Sequence, residues 1–540
     1  MRVHLSASSI EQDERREFDI SVPEGSTNLA TLLWGRGHLP PRPLCAGIGH
    51  CGLCRVRFLS SPPAPTPRER DMLDQEEISS GLRLACCHDA ENSMELSIPP
   101  LPGEYLPPEE KAPLPGTPEK TLPVWLAVDL GTTSLVWEAL DEAGNVLAEG
   151  RQLNPQMGAG TDVMARLAAA STESGAAFMR DSVRNALAGI ISGLTSQNMQ
   201  VRELCLAANP AMTLLALGLD SSGLRSAPYT LNFHGDEYVN LPGFPPLWIP
   251  PLPAPFVGGD LSAGLCAVLH SGHRLPLLLA DMGTNGEFAL LRAGKPPLLA
   301  SVPLGPALEG IGLRCGGMAG EGAATAFHAS PFGLVPHVIG NTRPHHICGA
   351  GYLSLIRLLL SLGLLDADGH FHPENRTPHP LAFLRARLAA SLDSEEGEPV
   401  LRLPDGLFLA ASDVENLLKV KAAFSLAVES LLAAADLTAV DLEEIMLAGA
   451  LGVHAPLEAL GRLGFLPPLS ESKTRAAGNT SLQGAAFLLR GHDGIGPDAL
   501  RAELSDLCRN AQALPLAESP SFHEQYVRHM RFDQPVLPRA

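Results

Sequence analysis

Between Pro99 and Pro123 the chain reads PPLPGEYLPPEEKAPLPGTPEKTLP, with proline at nearly every third position. Proline fixes φ and removes a backbone donor, so such a stretch sustains neither a helix interior nor a central strand. It divides the sequence into two parts, residues 1–98 and 124–540, joined by a linker over 99–123. A polyproline-like spacer of this length reaches on the order of 70 Å, which lets the first part swing between partners. The total of 540 residues also exceeds what one hydrophobic core normally supports.

The composition narrows the class. A hydrophobic fraction of 45% against 18% charged residues is that of a globular protein rather than a disordered one. A formal charge of −20 without any run of five or more Lys or Arg argues against nucleic acid, whose binding depends on basic patches. The opening MRVHLSASSIEQDERREF lacks a signal-length apolar core, and the most lipid-like run, Tyr352 to Leu365, is short and carries Arg357. A cytoplasmic protein without membrane contact is expected.

In residues 1–98 two alternating stretches, Val3 to Ser8 and Phe18 to Val22, read as a β-hairpin. A helix over Asn28 to Trp34, capped by Thr27 and stopped by Gly35 and Gly37, follows. Next come a cysteine loop, a strand at Val56 to Leu59, a helical piece from Pro67 to Asp74 and a closing strand Met94 to Ile98. This is the element order of an α+β, β-grasp ferredoxin. Five of the ten cysteines fall between Cys45 and Cys87, a clustering that suits metal binding better than a disulfide framework. Cys45, Cys51 and Cys54 give C-x5-C-x2-C on a glycine-rich loop, and Cys86 or Cys87 adds a distant fourth thiolate. A loop that wraps three ligands around a small cluster and a fourth that closes it fit a 2Fe–2S centre. Zinc is the competing reading, but zinc knuckles favour two C-x2-C pairs. The segment Arg83-Leu84-Ala85-Cys86 resembles the ferredoxin segment that carries the fourth ligand, which implies Cys86.

Beyond Val124, apolar strands (Trp125 to Val128, Pro276 to Ala280, Glu444 to Ala448) alternate with long helices such as Val414 to Ala435, an α/β pattern. Two strands run directly into Asp-x-Gly-Thr turns. The first holds Asp129, Gly131, Thr132 and Thr133, and the second holds Asp281, Gly283, Thr284 and Asn285. Glycine permits a tight turn and close approach of phosphate, threonine amides and hydroxyls donate to its oxygens, and aspartate holds Mg²⁺ through water. A third glycine loop, Gly449 to Gly452, follows another apolar strand and is placed to form the adenosine side of a cleft. Glu309, in a glycine-flanked loop, is a candidate to orient the attacking water. No GxxxxGK[ST] motif occurs, so this is not a P-loop enzyme. The expected fold is a duplicated actin/sugar-kinase/Hsp70-like ATPase binding ATP and Mg²⁺. Cys205, Cys266, Cys315, Cys348 and Cys508 read as buried, inert thiols, and His345-His346 as a solvated pair.

With these residues in place the sequence resembles the reductive activators of corrinoid-dependent enzymes, which join a 2Fe–2S domain to an actin-like ATPase domain. The resemblance extends over Ala208-Asn209-Pro210-Ala211-Met212-Thr213, Phe256-Val257-Gly258-Gly259-Asp260, Ala280 to Glu287, Gly305 to Gly310, Ile347 to Gly351, Gly478-Asn479-Thr480 and the tail near Phe522 to Phe532. It implies ATP-dependent reduction of a partner's Co(II) corrinoid to Co(I) within a methyltransferase system, with electrons supplied by a donor protein or reductase. A homodimer is left open. Alternatives are a redox-sensing nucleotide-binding scaffold without turnover and an electron-donating activator of another low-potential enzyme. Two departures stand out: a further middle domain of larger family members is expected to be missing, and the adenosine loop carries Gly-Ala where Gly-Gly is usual.

Overall fold

A computed structural model describes residues 1–5, 16–22, 27–35, 38–39, 42, 44, 52–99, 121–330, 332–374, 378–395, 397–449, 457–467, 471–516 and 521–532. The linker residues 100–120, and with them most of the expected spacer, lie outside these.

The first part is a five-stranded sheet made of β1 (Arg2–Leu5), β2 (Arg16–Asp19), β3 (Arg55–Phe58), β4 (Leu82–Leu84) and β5 (Glu95–Ile98), in the order β2-β1-β5-β3-β4. β1 and β2 form the expected antiparallel pair, and β5 returns to lie parallel to β1 in the centre. α1 (Leu29–Leu33) covers one face, burying Leu29, Leu32 and Leu33 with Val56, Leu84 and Leu96. Its cap is Asn28 rather than Thr27, because the Asn28 side chain accepts from the backbone amides of Ala30 and Thr31. The expected helical piece at 67–74 is α2 (Pro67–Met72), and a second helix that was not expected, α3 (Gln75–Ser79), follows it, since Asp74 starts a second capping box with Glu77.

Glu69 of α2 pins this part together. Its fully buried carboxylate accepts from Thr66 N (2.8 Å), Leu84 N (2.7 Å) and His88 Nε2 (2.8 Å). Burial alone would raise its pKa, but the bonds from His88, Thr66 and Leu84 outweigh it and hold the carboxyl at about 2. A carboxylate held below its unfolded value stabilises above about pH 4.5 and loses that contribution as pH falls towards 2. Glu69→Gln should therefore cost about 2 kcal/mol at pH 7. Faster hydrogen exchange over residues 82–88, with the difference from wild type vanishing near pH 2, is the expected reading.

The second part holds two six-stranded sheets of matching design. In the first, β6 (Leu122–Leu130), β7 (Ser134–Leu140) and β8 (Val146–Leu153) form an antiparallel meander. β9 (Met199–Ala208) and then β11 (Leu247–Ile249) add in parallel on the other side of β6, and β10 (Glu237–Val239) closes the edge. β6 begins three residues earlier than expected. Pro123 is tolerated there because β7 pairs only from Trp125 onward. In the second sheet β12 (Leu277–Met282), β13 (Asn285–Arg292) and β14 (Lys295–Pro303) repeat the meander. The strands Glu444–Ala448 and Thr474–Gly478 repeat the parallel additions. Leu277, Leu278, Leu279 and Ala280 are all buried, as expected of a strand covered on both faces.

The halves meet where the helix Gly259–Leu269 crosses the helix Thr480–Arg490. Contact there is close: a Cβ on Gly484 would lie 1.8 Å from the Ala263 carbonyl oxygen, and one on Gly264 would lie 2.8 Å from the Thr480 side-chain Oγ1. Among the described residues no helix is long and apolar enough to cross a membrane.

Candidate nucleotide site and cysteine loop

The two Asp-x-Gly-Thr turns join β6 to β7 and β12 to β13, so both stand at the ends of central strands and meet where the two sheets face each other. Gly131 N donates to Ser134 O (2.9 Å) and Gly283 N to Asn285 O (3.0 Å), closing each turn. The hydroxyls of Thr133 and Thr284 lie 3.1 Å apart. Thr284 also donates to Glu309 Oε1 at 3.2 Å, which brings the candidate water-orienting residue to both hairpins. Glu309 Oε2 is buried with no protein partner among the described residues, leaving an acceptor for a water or substrate group. Burial raises the Glu309 carboxyl, against the bonds from Thr133 and Thr284 and the charges of Arg151 and Arg166.

Asp129 is held from the opposite half, by Asn479 Nδ2 (2.7 Å) and Ser481 Oγ (3.1 Å) at the start of the helix 480–490. Asp281 receives no hydrogen bond among the described residues. Burial, then Asp260 and Asp129, push its carboxyl up to about 8. Asp260, in the first turn of the helix Gly259–Leu269, rises to about 7 through burial and Asp129, and Glu287 on β13 is raised by burial, Asp260 and Asp281. Carboxylates that raise one another in this way fit a divalent cation carrying a nucleotide. Among the described residues no three such groups converge closely enough to ligate a metal alone; a Mg²⁺ held through water and phosphate does not require it. Gly449 has φ +83°, and a Cβ there would sit 2.6 Å from Asp281 Oδ1. Both backbone and space therefore demand glycine at the start of the third loop. Gly452 lies outside the described residues.

Asp260, Glu287, Asn479 and Ser481 were not singled out as site residues from sequence. The first three stand inside stretches of recognisable pattern, FVGGD, ADMGTNGE and GNT, but a bare pattern assigns no role.

In the first part, Ala85 N donates to the Cys54 carbonyl at 2.8 Å, which brings the 85–87 turn against the C-terminal end of the cysteine loop. Asn28 Nδ2 holds the Cys86 carbonyl at 2.8 Å. Burial and then Cys86 push the Cys87 thiol up to about 11. Cys45 and Cys51 lie outside the described residues, so two of the four proposed ligands are placed near each other and two are not described. Burial raises the thiols of Cys205, Cys266, Cys315, Cys348 and Cys508 above their ordinary value, in keeping with inert cysteines. His346 is less exposed than expected and binds the Met318 carbonyl at 2.7 Å.

Matching sheets that present paired Asp-x-Gly-Thr hairpins to one cleft define an actin/sugar-kinase/Hsp70-type (ASKHA) nucleotide-binding fold. Residues 276–537 match the family model described as the C-terminal domain of RACo, the ASKHA domain, and residues 124–271 match that of the RACo middle region. The chain belongs to the reductive activators of corrinoid proteins. It is 29% identical to the corrinoid activation enzyme RamQ of Eubacterium limosum over 443 residues, 78% of this chain and 72% of that protein. It is 25% identical to the Co(II) methylated amine-specific corrinoid protein reductase of Methanosarcina barkeri over 310 residues, 53% of this chain and 51% of that one. The solved reductive activator for corrinoid, iron-sulfur protein superposes with a TM-score of 0.65 at 22% identity, covering 99% of this chain and 98% of that one. The family's middle region is thus present, which corrects the expectation that it is missing: it forms the first of the two matching halves.

Proposed function

We propose that this protein uses ATP to drive one-electron reduction of a partner protein's Co(II) corrinoid to Co(I), with the electron carried by a 2Fe–2S cluster in residues 1–98. Residues 99–123 act as the linker and residues 124–540 as the ATPase. The observation that carries the reading is the meeting of both phosphate hairpins at the Thr133–Thr284 contact, beside Asp129, Asp260 and Asp281, in a chain of the corrinoid-activator family. Thr132, Thr133 and Thr284 bind and orient the phosphates, and Asp129 and Asp281 are the carboxylates that would hold a Mg²⁺ to offset phosphate charge. Glu309 orients the attacking water, while Gly449 leaves room for the adenosine side.

Cys45, Cys51, Cys54 and Cys86 are the proposed cluster ligands, and the bound cluster supplies one low-potential electron. A cluster roughly 100 mV short of cobalt needs about 2.3 kcal/mol per electron, well within the reach of a nucleotide-driven conformational change. A donor protein or reductase is the proposed source of the electron.

Two measurements test this. Anaerobically purified protein should hold two iron and two sulfide per chain, and stoichiometric zinc in their place would sink the cluster. Co(I) absorbance on the cognate corrinoid protein, with reductant supplied, should rise over many turnovers only when Mg-ATP is present. Equal Co(I) formation without nucleotide would leave an electron carrier with a regulatory domain.

A further inference from the structure

The turn at 155–159, which follows β8, touches the two functional parts at once. On one side it receives the first part. Trp34, at the end of α1, is 1% exposed, and it lies so close to Gly158 that a Cβ there would meet the Trp34 carbonyl oxygen at 2.3 Å and its Cβ at 3.0 Å. The Arg42 guanidinium lies 5.4 Å from the Trp34 ring centre, and the same side chain donates to Leu53 O (3.3 Å) and Pro99 O (2.9 Å). Trp34 is thereby tied to the residue before Cys54 and to the entrance of the linker.

On the other side the turn grips the first phosphate hairpin through buried side chains. Asn154 Nδ2 donates to Gly131 O at 2.7 Å, and Asn154 N donates to Thr133 O at 2.9 Å. Arg166, fully buried in α4 (Val163–Ala169), donates to Thr132 O, to Gly160 O (3.0 Å) and to Gln156 Oε1 (3.4 Å). Gln156 N in turn donates to Asn154 Oδ1 at 2.8 Å. A trans peptide is planar, with its carbonyl and its amide pointing opposite ways. Holding Gly131 O therefore aims the Thr132 amide away from the turn, and holding Thr132 O does the same for the Thr133 amide. These are the amides a phosphate at this hairpin would take.

We infer that Asn154 and Arg166 are positioning residues for the phosphate-binding amides of Thr132 and Thr133, and that they make the 155–159 turn a seat through which bound nucleotide controls docking of the cluster-bearing part at Trp34. The inference rests on the nucleotide reading above and adds to it a route and a direction. A satisfied buried polar network holds one arrangement firmly, so phosphate pulling on two amides is felt at Gly158 and hence at Trp34.

Gly158→Ala separates the two ends of the route. Gly158 has no left-handed φ, so alanine suits its backbone and clashes only with Trp34. Hydrogen exchange of the full chain, with and without saturating Mg-AMPPNP, reads the coupling, and calorimetry reads binding. In the wild type, nucleotide should slow exchange over residues 29–35 at least threefold. In Gly158→Ala the affinity for Mg-AMPPNP should stay within twofold of wild type while that protection disappears. Arg166→Lys keeps the charge but loses the forked grip; it should weaken Mg-AMPPNP more than tenfold and also silence the response at 29–35, with its melting transition confirming the fold. Unchanged exchange at 29–35 in nucleotide-bound wild type, or full protection in Gly158→Ala, would overturn the seat while leaving the ATPase reading standing. A calorimetric trace without any binding by wild type would overturn both.

Discussion

Asp281→Ala is expected to lower ATP hydrolysis and multiple-turnover Co(I) formation by about 100-fold or more, while iron content and reduction of small dyes stay at wild-type values. Asp281 ends β12 between Asp129, Asp260 and the glycine of the third loop, and it lacks a hydrogen-bond donor of its own. Its proposed task is to place a cation against the transferred phosphate. Losing a group that stabilises charge developing in the transition state typically costs several kcal/mol of barrier.

Misfolding would mimic this loss, and pH tells the two apart. The Asp281 carboxyl is raised to about 8. A carboxyl raised on folding contributes stability that is full below about pH 4 and is lost as pH rises through about 8. Alanine removes this dependence, so the nucleotide-free variant should lose less stability than wild type between these limits. A melting temperature at pH 8 equal to or above that of wild type, together with lost hydrolysis, is the expected pair of results. A normal rate of Co(I) formation by the variant would remove the ATP-driven mechanism.

Cys86→Ser should strip the first part of its iron, with visible absorbance falling more than tenfold, whereas Cys87→Ser should keep most of it. The backbone argues for Cys86. The bond from Ala85 N to Cys54 O sets the residue after Ala85 beside the loop that carries three of the proposed ligands, and Asn28, the cap of α1, fixes the Cys86 carbonyl. Serine at 86 keeps those backbone bonds, so the measurement isolates the sulfur. Loss of iron from Cys87→Ser alone would move the fourth ligand by one residue.

What the sequence disclosed, and what it withheld, follows from separation along the chain. Strand-to-turn signals such as LAVDLGTT and LLADMGTN are local, because the apolar strand and its Asp-x-Gly-Thr turn are contiguous, and both hairpins fell where they were expected. The β1–β2 pair and the closing strand at 95–98 were equally local. The cap of α1 was missed by one residue, since Thr27 and Asn28 are both competent caps and only the backbone path chooses between them. The partners of Asp129 come from the other half of the duplicated fold, and the GNT pattern around Asn479 does not say which residue it binds. Arg166 was invisible for a different reason: a lone arginine in a helix ordinarily reads as a solvated surface residue, and only the fold shows it sunk beneath the phosphate hairpin.

The bond from Asn479 to Asp129 spans 350 positions of the chain, and this sets a timetable. A ribosome adding roughly 5–20 residues per second takes on the order of 20–70 s to produce the second partner after the first. Throughout that interval, and still after β11 completes the first sheet at Ile249, the aspartate of the first hairpin stands without these donors, and water must solvate it. The first half is therefore born with an open cleft and an unmade site. The finished site waits for the helix that begins at Thr480, so a chain stalled before it would lack both donors to Asp129.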